Sequence, residues 1–500
     1  MRRALLTLPF ALLLLLFLDQ PSHYFPLPAT TTTSSTTGSS SDGGLSSFFR
    51  PARPISGHAH LHSPTVQSFW RLLRDELFRL TPAVDPIHQP DDGKVTGEDQ
   101  APENLDNHPR PSLIYLDEIT KTTLRTSHDA MLKFARGQAS SELPFQVRTR
   151  GIVTTAGGSY FGMVVVSLRM LRSTGSKLPV TVFLDTHKDY DPLVCGEVLP
   201  DLNAECVVLS DLLDTAPPST PLLRYQYKVF AILFSPFQEV LFLDADAFPA
   251  HNPDQLFDTQ PYKSTGLVTW PDFWVSTASP LIFDITRVKA PPLAARKSSE
   301  AGILLYDKAR HATDLLMALY YNFFGPDLYY PLLAQGAAGE GDKDTFLHAA
   351  TVIGAEWYDV KSPVTVMGRW LNDTWHSFGM KQADPAEEWN INETSKLDPG
   401  KTLNDLHQST LKTARPFFIH NNIVKFDIER ILEPGSALFD INEAGHLQRV
   451  WGPQQDVIQD FGYDVEQVLW TELIVTACQL MTMRDCRRMK DLAAGVLAVP

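Results

Sequence analysis

Positive charge is scarce in this chain. Against 58 Asp and Glu stand only 43 Lys and Arg, a formal net charge of −15. With no surplus of basic side chains to neutralise a phosphate backbone, general nucleic-acid binding is excluded. Cysteine is scarcer still: there are four, in two close pairs, Cys195 with Cys206 and Cys478 with Cys486. Such pairs either close short loops in an oxidising compartment or remain buried thiols. Signatures of several other chemistries are missing as well. AGGSYFG, residues 156–162, is neither a dinucleotide fingerprint nor a G-x-S-x-G elbow, because position 161 is Phe. GEGDKD, residues 339–344, lacks the G-x-x-x-x-G-K-[ST] of a phosphate loop, and no H-E-x-x-H occurs. These absences exclude a P-loop NTPase, an α/β-hydrolase and a zinc protease. No repeat of fixed period is present.

What is there suffices for a large catalytic domain with an extension: 500 residues, of which 43% are hydrophobic. The apolar run from Ala4 to Leu18 follows Arg2 and Arg3 and is broken only by Thr7 and Pro9. Its length is that of a signal-peptide core, yet Asp19-Gln20-Pro21 offers no small-x-small cleavage site, and the arginines precede the run as the positive-inside rule requires. A type II signal anchor over residues 1–18 is expected ahead of a cleaved signal peptide, since a short span suits a thin early-secretory membrane. Residues 19–110, which include TTTTSSTTGSSS, read as a Ser/Thr/Pro-rich lumenal stem unable to bury enough apolar surface to fold alone. Within it HAHLH, His58 to His62, reads as a solvated cluster rather than a metal site, and FWRLLRDELFRL as a helical stretch. The body occupies residues 111–500. Asn372-Asp-Thr374 and Asn392-Glu-Thr394 are glycosylation sequons.

From Gly151 onward, short apolar β-type runs alternate with helical ones. GIVTT, PVTVFLD, ECVVLSDL and EVLFLDAD read as strands, and segments near 160–172 and YQYKVFAILFSPF as helices. GLVTW and AGILLYD add strands, and ARHATDLLMALYYNFF and GDKDTFLHAATVIG add helices. The pattern implies an α/β fold with a mostly parallel sheet covered by helices. In such sheets ligands sit beyond the carboxyl ends of the strands. EVLFLDADAFPAHNP ends an apolar strand on Asp244 and Asp246 at that position. Strand alternation puts both carboxylates on one side, and an apolar setting makes two unpaired charges costly. A hard divalent cation, Mg²⁺ or Mn²⁺, answers both and commonly bridges a pyrophosphate. A capping or turn pair without metal is the alternative.

YQYKVFAILFSPFQEVLFLDADAFPAHNP, KSSEAGILLYDKARH, ALYYNFFGPDLYYPLLAQGAAGEGDKDTF and PFFIHNN together resemble fungal Golgi α-mannosyltransferases of glycosyltransferase family 71, across about residues 148–425. The resemblance implies a GT-A type fold, a GDP-mannose donor, Mn²⁺ or another divalent cation, and a mannose-terminated glycoprotein glycan as acceptor. It further implies a Golgi membrane location, and leaves open membership of a Golgi enzyme complex. The GPDLYYPLLAQGAAGEGDKDTF stretch is more similar to members that add α-1,2 branches than to those that add α-1,3 caps.

On the resemblance, Asp244, Asp246 and His420 hold the metal. Gly157, Gly158, Lys228 and Arg224 receive the donor, the glycines allowing close backbone approach. Donor and product are both α, so configuration is retained, by a carboxylate nucleophile or by front-face attack, through an oxocarbenium-like state. Glu300, Glu340 and Asp342 are the candidate catalytic carboxylates, although Asp342 also suits a helix N-cap. Trp270, Trp274 and Lys343 are the candidate acceptor contacts. Two rivals remain at this stage: a metal-dependent hydrolase using the same aspartates, and a degenerate transferase kept as a complex subunit.

Overall fold

The computed structural model describes residues 55–89, 95–216, 222–339, 341–396, 414–433 and 435–498. All of them belong to one compact unit, Pro51–Pro500. Its centre is a seven-stranded sheet built from β1 (Gln146–Thr155), β2 (Val180–Leu184), β3 (Ala204–Val208), β4 (Phe237–Leu243), β6 (Leu267–Val275), β7 (Lys297–Asp307) and β8 (Tyr358–Asp359), in the order β3-β2-β1-β4-β7-β6-β8. The first four strands of that order run parallel, β7 runs against both its neighbours, and β8 is parallel to β6. Strands buried on both faces read as unbroken apolar runs. In β4 the alternation splits the run between two cores: Val240 and Phe242 enter one, Leu241 and Leu243 the other. The expected α/β class with a mostly parallel sheet is therefore observed.

A second, four-stranded antiparallel sheet lies in the order β5-β11-β10-β9, from β5 (Ala247–Pro249), β9 (Thr365–Leu371), β10 (Thr374–Ala383) and β11 (Pro416–His420). The chain leaves β4, makes a turn closed by Ala247 N–H donating to the Asp244 carbonyl (2.9 Å), and enters β5. Asp244 and Asp246 thus stand where one sheet hands the chain to the other. Three helices, Gln454–Phe461, Val465–Leu480 and Met483–Leu497, pack a third apolar cluster behind the smaller sheet.

The stem expectation for residues 19–110 fails over the described part of that range. The helix Pro64–Arg79 starts on the Ser63 side chain, which accepts from Val66 N–H, and has proline in its first turn. Val66, Phe69, Trp70, Leu73 and Leu77 form one buried stripe. Trp70 donates its indole N–H to the Leu213 carbonyl (3.2 Å) and meets Phe230 and Phe234 edge-on. These residues belong to the main core, so the body begins near Ile55. A mere tether would be indifferent to Trp70→Ala. Here that change is expected to cost about 3–5 kcal/mol in chemical denaturation, the range for truncating a fully packed aromatic.

Both cysteine pairs are closed, Cys195–Cys206 and Cys478–Cys486. The anchor expected over residues 1–18 lies outside the described residues, and no helix among those described is long and apolar enough to cross a membrane.

Candidate active site

Leu243 is the last residue of β4, so Asp244 and Asp246 sit in a turn and strand alternation does not govern them. They reach the same region by separate partners. Asp244 lies 3.4 Å from the Lys228 ammonium; Asp246 lies 3.1 Å from His420 Nε2 and also pairs with Lys425. His420 ends β11, which β5 holds in register by pairing Ala247 with His420. Its other nitrogen, Nδ1, is 3.3 Å from Glu300 Oε1 on β7. Lys228 rises from the helix Gln226–Phe234 and reaches the Ala301 carbonyl (2.6 Å), Asp342 (3.0 Å) and Asp244. Strands β7 and β11, the turn after β4, one helix, and the loops before Thr345 and after His420 therefore supply four carboxylates and three basic groups to one place.

The electrostatics follow from burial opposed by pairing. Burial pushes the Lys228 ammonium toward neutrality, but Asp244, Asp342 and Glu300 outweigh it and hold its pKa above the ordinary value. His420 would likewise be driven neutral by burial; Asp246 and Glu300 raise it to about 10. Burial would raise Asp246 and Glu300, yet His420 beside each holds both below the usual carboxylate range. Asp244 and Asp342 stay raised because desolvation exceeds what Lys228 returns, and Asp342 reaches about 6. An imidazolium on His420 balances these acids when no metal is bound.

The residues fit a divalent cation. One ligand atom each from Asp244, Glu300 and His420 lies within 4.8 Å of the others, and Asp246 adjoins them through His420. His420 Nδ1 is buried with the Glu300 carboxylate beside it at 3.3 Å and makes no well-formed hydrogen bond. Gly302 keeps the space between them open: a Cβ there would stand 2.6 Å from His420 Cε1, 2.7 Å from Glu300 Oε1 and 2.9 Å from Asp244 Oδ2. Carboxylate oxygens with one imidazole suit Mn²⁺ or Mg²⁺. Glu300, expected to be catalytic, thus joins the ligand group.

Asp342 does not cap the following helix. Its backbone carbonyl accepts from Thr345 N–H (2.9 Å), while its carboxylate Oδ2 pairs with the Lys228 ammonium at 3.0 Å. Glu340, its neighbour in the same loop, lies outside the described residues. Gly157 and Gly158 follow β1, the parallel neighbour of β4, so they stand at the same end of the sheet. Both have positive φ, +151° and +54°, and nothing lies within 4 Å of a Cβ placed on Gly158. Arg224 is exposed just before the Lys228 helix, with φ +35°. Beside it Tyr225 presses on Gly341, whose added Cβ would meet the ring at 2.6 Å.

Three expectations change. Trp270 is fully buried, edge-on to Phe418, with its indole N–H on the Ala383 carbonyl, so no sugar reaches its face. Trp274 is half-buried on the same strand beyond a register shift, and remains available for stacking. Lys343 is buried with its ammonium donating to Asp272 (3.1 Å), Ser298 (3.3 Å) and the Ala338 carbonyl (2.9 Å); all three protons are engaged, and it holds the acidic loop rather than an acceptor. The Lys228 ammonium is enclosed by carboxylates, which removes it as a free phosphate ligand. Lys425 and Gly302 were not anticipated. A lysine five residues beyond PFFIH carried a faint signal, a glycine inside AGILLYD none.

Comparison with known proteins adds the following. Residues 149–297 and 293–384 match a family model described as a mannosyltransferase family. The chain is 32% identical over 409 residues to alpha-1,2-mannosyltransferase MNN21 of Candida albicans, covering 70% of this chain and 61% of that protein. It is 34% identical over 340 residues to MNN24 of the same organism, covering 56% and 47%. With alpha-1,2-mannosyltransferase MNN5 of Saccharomyces cerevisiae it shares 28% over 440 residues, 73% of each chain. The matches thus span about half to three fifths of the first two relatives. A solved galactosyltransferase, LgtC with donor and acceptor sugar analogues, overlays at a TM-score of 0.31 and 12% identity, over 70% of this chain and 97% of that one.

Proposed function

We propose, from the match of residues 149–297 and 293–384 to a mannosyltransferase family model, that this chain transfers mannose from GDP-mannose to a mannose-ended glycan, forming an α-1,2 linkage with retention in mannan and glycoprotein synthesis. The alpha-1,2-mannosyltransferase names of its relatives support the linkage. The observation that carries the reading is the cation cradle of Asp244, Glu300 and His420 around Gly302. A GT-A type arrangement accords with the strand order and with the position of that cradle beyond β4.

Asp244, Glu300 and His420, with Asp246 beside them, would hold Mn²⁺ or a similar ion. Bound there, such an ion would supply positive charge against a departing diphosphate. Gly158, with open space around it after β1, admits the donor, and Arg224 supplies an exposed positive charge before the Lys228 helix. Asp342 faces the same cluster, and its carboxylate is placed to stabilise an oxocarbenium-like state or to attack it. Because burial raises Asp342 to about 6, it is ionised above that pH and protonated below. Accordingly kcat/KM is expected to fall as pH drops through about 6, and Asp342→Asn to be low throughout.

Incubating the full chain with GDP-mannose, Mn²⁺ and short mannosides, then determining the product linkage, tests the proposal. An α-1,3 product would move it to the capping members, free mannose with water as sole acceptor would favour a hydrolase, and no turnover would favour a scaffold.

A Golgi membrane location with a lumenal body forms part of the same proposal, supported by two closed disulfides. Asn372 occupies an exposed hairpin turn between β9 and β10 with φ +48°, whereas Asn392 lies within a helix and donates from Nδ2 to Tyr358 (3.3 Å). Endoglycosidase treatment is therefore expected to shift the secreted-pathway protein by one glycan, and the shift to vanish in Asn372→Gln but persist in Asn392→Gln.

A further inference from the structure

HAHLH does not lie in a flexible stem. Residues Gly57–Leu61 form a short helix capped by Ser56, pinned at its start by Gly57 N–H donating to the Glu205 side chain on β3. A helix separates residues that strand-like alternation would align. His60 turns inward and is buried, while His58 and His62, four apart, share the exposed face with ring centroids 4.3 Å apart. Opposite them stands Asp211, in the helix Ser210–Leu213 that follows β3. One ligand atom each from His58, His62 and Asp211 lies within 4.8 Å of the others. His62 Nε2 is 3.4 Å from Asp211 Oδ2, and His187 Nε2, from the turn after β2, is 2.6 Å from Asp211 Oδ1.

We propose that His58, His62, His187 and Asp211 form a second metal site, for Zn²⁺, separate from the cation cradle. Histidines at i and i+4 on one helix face are the spacing that zinc sites use. Three imidazoles with one carboxylate make a nitrogen-rich set that favours Zn²⁺, whereas the carboxylate-rich set around Gly302 favours harder ions. His58, His62 and Asp211 lie within reach of one ion and His187 is held on the other Asp211 oxygen; with His187 turned in as the fourth ligand the coordination shell closes, which makes the site structural rather than catalytic. All four side chains reach solvent, giving the ion a path in. Bound there, Zn²⁺ ties the first described helix to the loops after β2 and β3, and so clasps the N-terminal segment onto the sheet edge.

The test uses the full chain stripped with chelator and titrated with Zn²⁺, and separately with Co²⁺ as a spectroscopic probe. Wild type is expected to take up one more equivalent of Zn²⁺ than His58→Ala/His62→Ala, and to show an intense tetrahedral Co²⁺ band that this variant lacks. Asp244→Ala should keep that band, which separates the site from the cradle. His187→Ala should weaken Zn²⁺ binding by about 10–100-fold. Because His58, His62 and His187 are exposed, matching circular dichroism among variants is expected. Equal stoichiometry and equal Co²⁺ spectra in wild type and the double variant would overturn the site, and unchanged affinity in His187→Ala would remove His187 from it.

Discussion

Asp244→Ala and Asp246→Ala are each expected to lower the proposed transferase activity by about a hundred- to a thousandfold, the scale of losing preorganised charge stabilisation in a buried site, while thermal unfolding stays close to wild type. The separation of activity from stability follows from the pairing. Removing one partner of a buried ion pair usually destabilises, because the other is left uncompensated. Here each basic group has another recourse. Lys228 keeps Asp342 at 3.0 Å if Asp244 is removed. His420 keeps Glu300 at 3.3 Å if Asp246 is removed, and Lys425, one-third exposed, turns to water. A cation has no such substitute. Full activity in either variant would remove the metal assignment; a collapse of the melting temperature in step with activity would make the aspartates structural.

The second large effect is expected from adding one methyl group. Gly302 has φ outside the left-handed range, so alanine meets no backbone objection, and its carbonyl still accepts from Asp244 N–H. The objection is purely local. All three atoms a Cβ would strike belong to His420, Glu300 and Asp244, at 2.6–2.9 Å. They can make room only by moving, and they are the ligand group itself. Gly302→Ala should therefore fold normally and bind Mn²⁺ at least about 10–100-fold more weakly, as for other displacements of metal ligands, with activity falling in parallel. Manganese titration followed by electron paramagnetic resonance measures this directly. Wild-type affinity in the alanine variant would mean that the cation sits elsewhere.

How much of this was readable in the chain depended on whether a residue's role lies in its own side chain or in its neighbours. EVLFLDAD announced a buried strand because both its faces are covered and nothing polar interrupts it. The aspartates announced a cation because charge is conspicuous against apolar sequence. Residues 55–89 were misread because a single amphipathic helix between Pro-rich segments looks the same whether or not a core awaits it; only Phe230 and Phe234, far away in the chain, decide that Trp70 is buried. Trp270 and Trp274 look alike on β6, and a register shift between Pro271 and Val275 separates their fates. Gly302 acts by having no side chain, and such a role becomes visible only once His420 and Glu300 are placed around it.

Asp246 and His420 are 174 residues apart in sequence, yet the cradle needs both. During synthesis the seven strands of the larger sheet, ending with β8 at Asp359, are complete well before β11 leaves the ribosome. A nascent chain that has completed those strands therefore still lacks His420, and with it Phe417 and Phe418, which β11 adds to the core face that holds Trp270. Docking of β11 against β5 thus completes the cradle and that core face in a single late step.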